Sequence, residues 1–161
     1  MSMEQQSFHK ITPRVIKVWQ WSNSISYLFY FGIPIGYAAI FGLDQFHIWV
    51  ALSLTLLVLI GWVLSIVWLP YKIWENWRYA INDKEIELKH GVFFKTQTLI
   101  PLSRVQHVDT RQGPLLRWYS LSQVTISTAA TTHEIPGLDI VIANRVRRQI
   151  STYARLAEDD V

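Results

Sequence analysis

The chain has no cysteine, which excludes disulfides, thiolate metal sites and a cysteine nucleophile and leaves five scattered histidines. It is also short of charge: 17% of its 161 residues are Asp, Glu, Lys or Arg, against roughly 25% in a soluble globular protein. The shortage is local. Residues 22–69 hold one formally charged side chain, Asp44, whereas most charged residues follow Pro70. No glycine-rich phosphate loop, no G-x-S-x-G serine context and no internal repeat is found. The expectation is a protein that is not an enzyme and carries no cofactor or metal.

What is present is apolar surface: half of the residues are hydrophobic and eight are Trp. Residues 25–43 and 48–69 form two uncharged, mostly apolar runs, each near the ~20 residues that cross a bilayer as a helix. Only Asp44-Gln45-Phe46-His47 separates them, so the runs predict an antiparallel transmembrane hairpin. Lys10, Arg14 and Lys17 precede the first run, Lys72 and Arg78 follow the second, and the connection has no Lys or Arg. The positive-inside rule therefore places both termini in the cytoplasm. Trp19 and Trp21 at the entry and Trp68, Tyr71, Trp74 and Trp77 at the exit are expected as headgroup-level anchors. Gly32-Ile33-Pro34-Ile35-Gly36 interrupts the first run and reads as a packing notch, since neither run carries an ionisable group for a proton or ion relay.

From Trp77 the period changes to alternation. Tyr79-Ala80-Ile81 and Ile86-Glu87-Leu88 read as strands joined by a turn at Asn82-Asp83, with Gly91 ending the second. Residues 92–100 are rich in aromatic and β-branched side chains and predict a third strand closed by Pro101. Residues 104–111 predict a fourth, and the three-residue step between Val105 and Val108 predicts a bulge. Residues 115–119 read as an apolar linker, 121–128 as a strand, 131–135 as its partner, and Pro136-Gly137 as the end of the sheet. Asp139 is placed to cap a final helix whose apolar stripe is Ile142, Val146, Ile150, Tyr153 and Ala157, with Glu158-Asp159-Asp160 as an acidic end. The expected segments are 1–22, a cytoplasmic leader; 23–76, the hairpin; and 77–161, the sheet domain. The fold class is α+β: a two-helix hairpin, then an antiparallel β-sandwich or open barrel capped by a C-terminal helix.

Arg78-Tyr79-Ala80-Ile81, Gly91-Val92-Phe93, Ile100-Pro101-Leu102-Ser103-Arg104-Val105-Gln106, Gln112-Gly113-Pro114-Leu115-Leu116-Arg117 and Val124-Thr125-Ile126-Ser127-Thr128-Ala129 follow one another along the chain. In that order they resemble the bacterial pleckstrin-homology (PH)-like domain of the YdbS-like membrane proteins. The family tends to have Gly after the pair matched by Arg117 and Trp118-Tyr119, where this chain has Ser120, so the turn there is the point of departure. The resemblance implies a seven-stranded PH-like fold capped by a helix, a bacterial cell-membrane location, and no established enzymatic activity. It also implies a larger relative with several such domains, often encoded alongside. Exposed sheet edges and the last helix then make the leading expectation an interaction module that assembles with its own copies or with such a partner. The alternatives are an anionic-lipid headgroup module and an accessory subunit of a transporter or membrane enzyme.

The search for chemistry agrees. His133 and Glu134 are adjacent on a strand and point to opposite faces. His107, Asp109 and His90 match no zinc spacing. Arg145, Arg147, Arg148, Arg104 and Arg117 are candidate contacts to anionic lipid headgroups or to a protein partner. Against them stands the charge balance: from Pro70 onward there are twelve Lys or Arg and ten Asp or Glu, which equally describes a solvated mixed surface. Nucleic acid is not an expected partner, because the net charge is only +3 and no recognition motif interleaves the arginines.

Overall fold

The computed structural model describes residues 8–42 and 44–159. They form two compact units, one built from the residues up to 15 and from 72 onward, the other from residues 16–71.

In the second unit the first apolar run is helical in two pieces, α1 (Val15–Tyr30) and α2 (Gly32–Phe41). The break has a simple cause: Pro34 has no N–H to give the carbonyl of Tyr30, so the ladder is interrupted one turn before it. The second run begins as α3 (Gln45–Val63), passes through a π-helical turn at Leu64–Trp68 and ends in α4 (Leu69–Asn76), whose last residues belong to the other unit. At the tip of the hairpin the Tyr37 hydroxyl and His47 Nδ1 are 2.9 Å apart, and the Phe41 ring stacks on His47. Leu43 and the acidic terminus at Asp160 lie outside the described residues.

The first unit carries two antiparallel sheets. One has the order β1 (His9–Lys10), β2 (Arg78–Ile81), β3 (Glu85–His90), β4 (Thr96–Pro101); the other has β5 (Val105–Arg111), β6 (Leu121–Thr128), β7 (Thr132–Asp139). A 3-10 turn at Leu102–Arg104 leads from one sheet to the other, and a short helix α5 (Pro114–Trp118) links β5 to β6. Helix α6 (Ile140–Asp159) closes the unit. Ile86, Leu102, Leu121, Val124, Ile126, Ile135, Ala143 and Ile150 are fully buried and make the centre of one core. At ~25 cal/mol per Å² their burial is the main term holding the unit together.

Among the described residues the strands from Trp77 onward number six, and a seventh comes from the leader. His9 stands opposite Tyr79 and Lys10 opposite Arg78. Ile11 and Val15 are buried, the Thr12 amide donates to the Gly137 carbonyl, and Asp139 accepts from the Thr12 hydroxyl and pairs with Arg14 at 3.2 Å. The compact units thus do not divide at residues 22 and 76: the hairpin is spliced between the first and second strands of the sheet unit.

Other differences are local. Residues 92–95 are a loop, not strand, because Gly91 at φ +120° turns the chain and the Phe94 carbonyl folds back onto it. β7 runs through Pro136 and Gly137 to Asp139, which an edge strand tolerates. Residues 114–118 are helical rather than a linker. The buried stripe of α6 is centred on Ala143, Val146 and Ile150, leaving Ile142 partly exposed. The Asp139 carboxylate serves Thr12 and Arg14. Ser120, at the turn where the resemblance breaks, holds φ +55°.

Candidate functional site

Besides the Tyr37–His47 contact at its tip, the hairpin carries a polar site that follows from backbone chemistry. In the π turn the Leu69 amide bonds to the Leu64 carbonyl instead of that of Ser65, and Pro70 has no amide to give Ile66. Two carbonyls are thereby left without a helical partner, a costly state where no water can reach them. Both are filled from α1: Asn23 donates to Ser65 O and Gln20 to Ile66 O, each at 2.9 Å. Gln20 and Asn23 are three residues apart and so share one helix face. Beside them Tyr27 lies over Gly61, where a Cβ would come within 3.0 Å of its hydroxyl. Asn23, Ser26, Tyr27, Tyr30, Gly61 and Ser65 line an open groove of about 510 Å³.

The expected interfacial aromatics separate into two groups. Trp21, Trp68 and Tyr71 are exposed and Trp19 is half-buried. Trp74 donates its indole N–H to the Ile11 carbonyl at 2.9 Å and lies under the Lys10 ammonium. Trp77 is 7% exposed and stacks on His90 with the ring planes 18° apart. It is a core residue of the sheet unit and not a headgroup anchor, because the strand it introduces turns its ring inward. Tyr79 next to it is also buried, and burial pushes its phenol above the ordinary value.

The arginines on the sheet side stand apart from one another. Arg104 precedes β5 and Arg117 follows it, so a seven-residue strand, on the order of 20 Å long, stands between them. On α6, Arg145 and Arg148 are exposed, whereas Arg147 is half-buried and its Nε is shielded from solvent without a hydrogen-bond partner.

The candidate catalytic groups lie on the second sheet. His133 bonds to the Thr131 hydroxyl at 2.9 Å, and Glu134 accepts from Gln123 at 3.2 Å on the other face of the strand. Asp109 and Glu134 flank Thr125 in one cross-strand row, with His107 opposite Ser127 in the next. Among the described residues no three such groups are placed to hold a metal ion.

A surface that sequence reasoning missed lies where the two sheets meet. β4 is the last strand of its sheet, and Leu99 on it is 52% exposed. With Pro101, Arg104, Val105, Thr128 and His133 it lines a cleft of about 610 Å³. An edge strand beside a half-apolar cleft offers unpaired backbone groups and side-chain pockets together, the two requirements for strand addition by a partner. Nothing short-range in the sequence marks this cleft, since its walls come from β4, β5 and the β6–β7 turn.

Comparison with known proteins gives the setting. A family model described as the bacterial PH domain matches residues 34–154. The matched stretch begins inside α2 and so leaves out the leader strand. The UPF0699 transmembrane protein YdbS of Bacillus subtilis (strain 168) is 38% identical over 159 residues, covering 99% of this chain and 100% of that protein. Among solved structures, a DUF1696-family protein with a pleckstrin-homology domain from Shewanella loihica PV-4 aligns at TM-score 0.38 and 9% identity, over 48% of this chain and 70% of the other.

Proposed function

The chain belongs to the bacterial PH-domain family, and from that premise we propose that it is a non-catalytic interaction module tethered to the bacterial cell membrane, which assembles with its own copies or with a larger PH-domain membrane protein. The reading puts both termini on the cytoplasmic side, in keeping with Lys10, Arg14 and Lys17 before the hairpin and Lys72 and Arg78 after it. The observation that carries it is the open edge of β4 with its cleft, a surface for another polypeptide.

The test is purification of the full chain from native membranes in mild detergent. The expected result is a homo-oligomer or a stable complex with a second membrane protein, lost in Leu99→Glu, which puts a charge on the apolar wall of the cleft while leaving the buried core untouched. A monomer that purifies alone overturns the reading. Protease added outside intact cells is expected to leave the sheet unit intact, and its digestion from that side overturns the orientation.

A further inference from the structure

The loop between β3 and β4 displays two phenylalanines to solvent, with Phe93 78% and Phe94 88% exposed. Such exposure of adjacent large apolar rings is unusual on a water-facing surface and marks a contact site. The loop is not slack. Gly91 at φ +120° lies so close to the Phe94 carbonyl that a Cβ would come within 1.9 Å of it, so the turn is held in one shape that presents both rings.

The residues on either side of the two rings, Gly91 and Lys95, line a cleft of about 390 Å³ together with Arg78, Lys89 and His90. Its one acidic side chain, Glu75, is committed to Lys72 at 2.7 Å. Arg78 is fixed by donating Nη1 to the carbonyls of Glu75 and Trp77, and Lys89 by its ion pair with the buried Glu87 at 2.9 Å. Among the described residues Lys95 has no acidic partner. The cleft is therefore a cationic pocket beside the loop that carries the two exposed rings.

Register fixes which end of the sheet this is. Lys89 stands opposite Arg78, and Arg78 opposite Lys10. The loop thus lies at the end where the chain enters β2 from α4, shortly after the apolar run ends at Leu69, and where it leaves β1 on its way to α1. The β2–β3 turn at Asp83 is at the other end. Both covalent links to the lipid-spanning run leave from the loop's own end of the sheet.

We propose that residues 91–95 form a third attachment to the bilayer, in which Phe93 and Phe94 enter the headgroup layer and the cleft beside the loop receives the phosphate of an anionic phospholipid. This rests on the hairpin lying in lipid. Rings that suit the acyl boundary and cations that meet phosphate are the two kinds of group that a membrane surface accepts side by side.

The natural absence of cysteine makes the test direct. Single-cysteine variants Phe94→Cys, Asp83→Cys and Leu56→Cys of the full chain are labelled with an environment-sensitive fluorophore. Each is reconstituted in vesicles of phosphatidylcholine alone or mixed with phosphatidylglycerol. Brominated lipid is expected to quench the Leu56 label in both vesicles, the Asp83 label in neither, and the Phe94 label when phosphatidylglycerol is present. Adding Lys95→Gln is expected to weaken that engagement about fivefold, the effect of one cation near an anionic leaflet. A Phe94 label as open to aqueous iodide as the Asp83 label overturns the proposal. So does equal quenching in both vesicles, or shielding from iodide and brominated lipid alike, which would mark a protein contact. An unquenched Leu56 label overturns the embedding of the hairpin, and the loop inference with it; quenching at Leu56 without quenching at Phe94 overturns the loop inference alone.

Discussion

The two units use the same kinds of side chain in opposite ways. In the sheet unit, Ile86, Leu102, Leu121, Val124, Ile126, Ile135 and Ile150 are turned inward and lose essentially all contact with solvent; in the hairpin, Leu28, Phe29, Ile40, Trp49, Leu57 and Val67 are more than 60% exposed, and α3 has no buried residue. The first is the signature of a core that expels water, the second of helices whose apolar surface is matched by the surrounding medium. Order is kept differently too. Close packing specifies the sheet unit, whereas in the hairpin, where lipid is as apolar as Leu, two amide-to-carbonyl bonds and a glycine notch provide the specificity.

The sharpest way to break this contrast is truncation in matched pairs. Ile126→Ala, at a fully buried position, is expected to cost about 2–5 kcal/mol. Leu56→Ala, at a position 59% exposed, is expected to leave stability nearly unchanged. Urea-dependent proteolysis of the purified full chain measures both, and equal losses would erase the distinction between the units.

Next in size is Gly137→Ala. The residue holds φ +62°, and an added Cβ would lie 2.4 Å from the Val15 side chain, so both strain and the seating of the leader are affected. A loss of about 1–3 kcal/mol is expected, together with faster cleavage after Lys10 or Arg14 by trypsin. Unchanged protection of those sites would show that the leader is not part of the sheet unit's fold.

Within the hairpin, Asn23→Ala leaves the Ser65 carbonyl without its donor. The expected cost is about 0.6–1.7 kcal/mol, the range for hydrogen bonds between membrane helices. It should appear as lower resistance of the hairpin to detergent denaturation with no change in the sheet unit. The smallest effect concerns pH. Because burial raises the Tyr79 phenol, its neutral form is the one the fold accommodates. Stability from this source is intact below the unfolded value of about 10 and is lost as pH rises through the raised folded value. The sheet unit should therefore lose more stability in alkali than the Tyr79→Phe variant does.

How far these features were legible depended on the distance over which each signal acts. The two apolar runs are self-contained, and so was the alternation of β2, β3 and β6. The bulge expected from Val105 and Val108 corresponds to the register shift between Val105 and His107. A two-residue strand such as His9–Lys10 has no period to detect, and its partner lies beyond the whole hairpin. The aromatic and β-branched composition of residues 92–95 suggested a strand because propensity scales reward the residue types and ignore the positive φ of the glycine before them. The π turn has no compositional mark; only Pro70, read together with amides on another helix, could have pointed to it. Trp77 was misassigned because a tryptophan next to a lipid-spanning run suits the headgroup layer and a sheet core equally well.

The splicing of the hairpin between β1 and β2 sets an order of events during synthesis. The ribosome delivers β1 first, then both apolar runs, and only afterwards the strand against which β1 pairs. The sheet therefore cannot close until the whole hairpin has been synthesised, and a nascent chain that stalls before β2 is left with an unpaired edge that quality-control proteases can recognise.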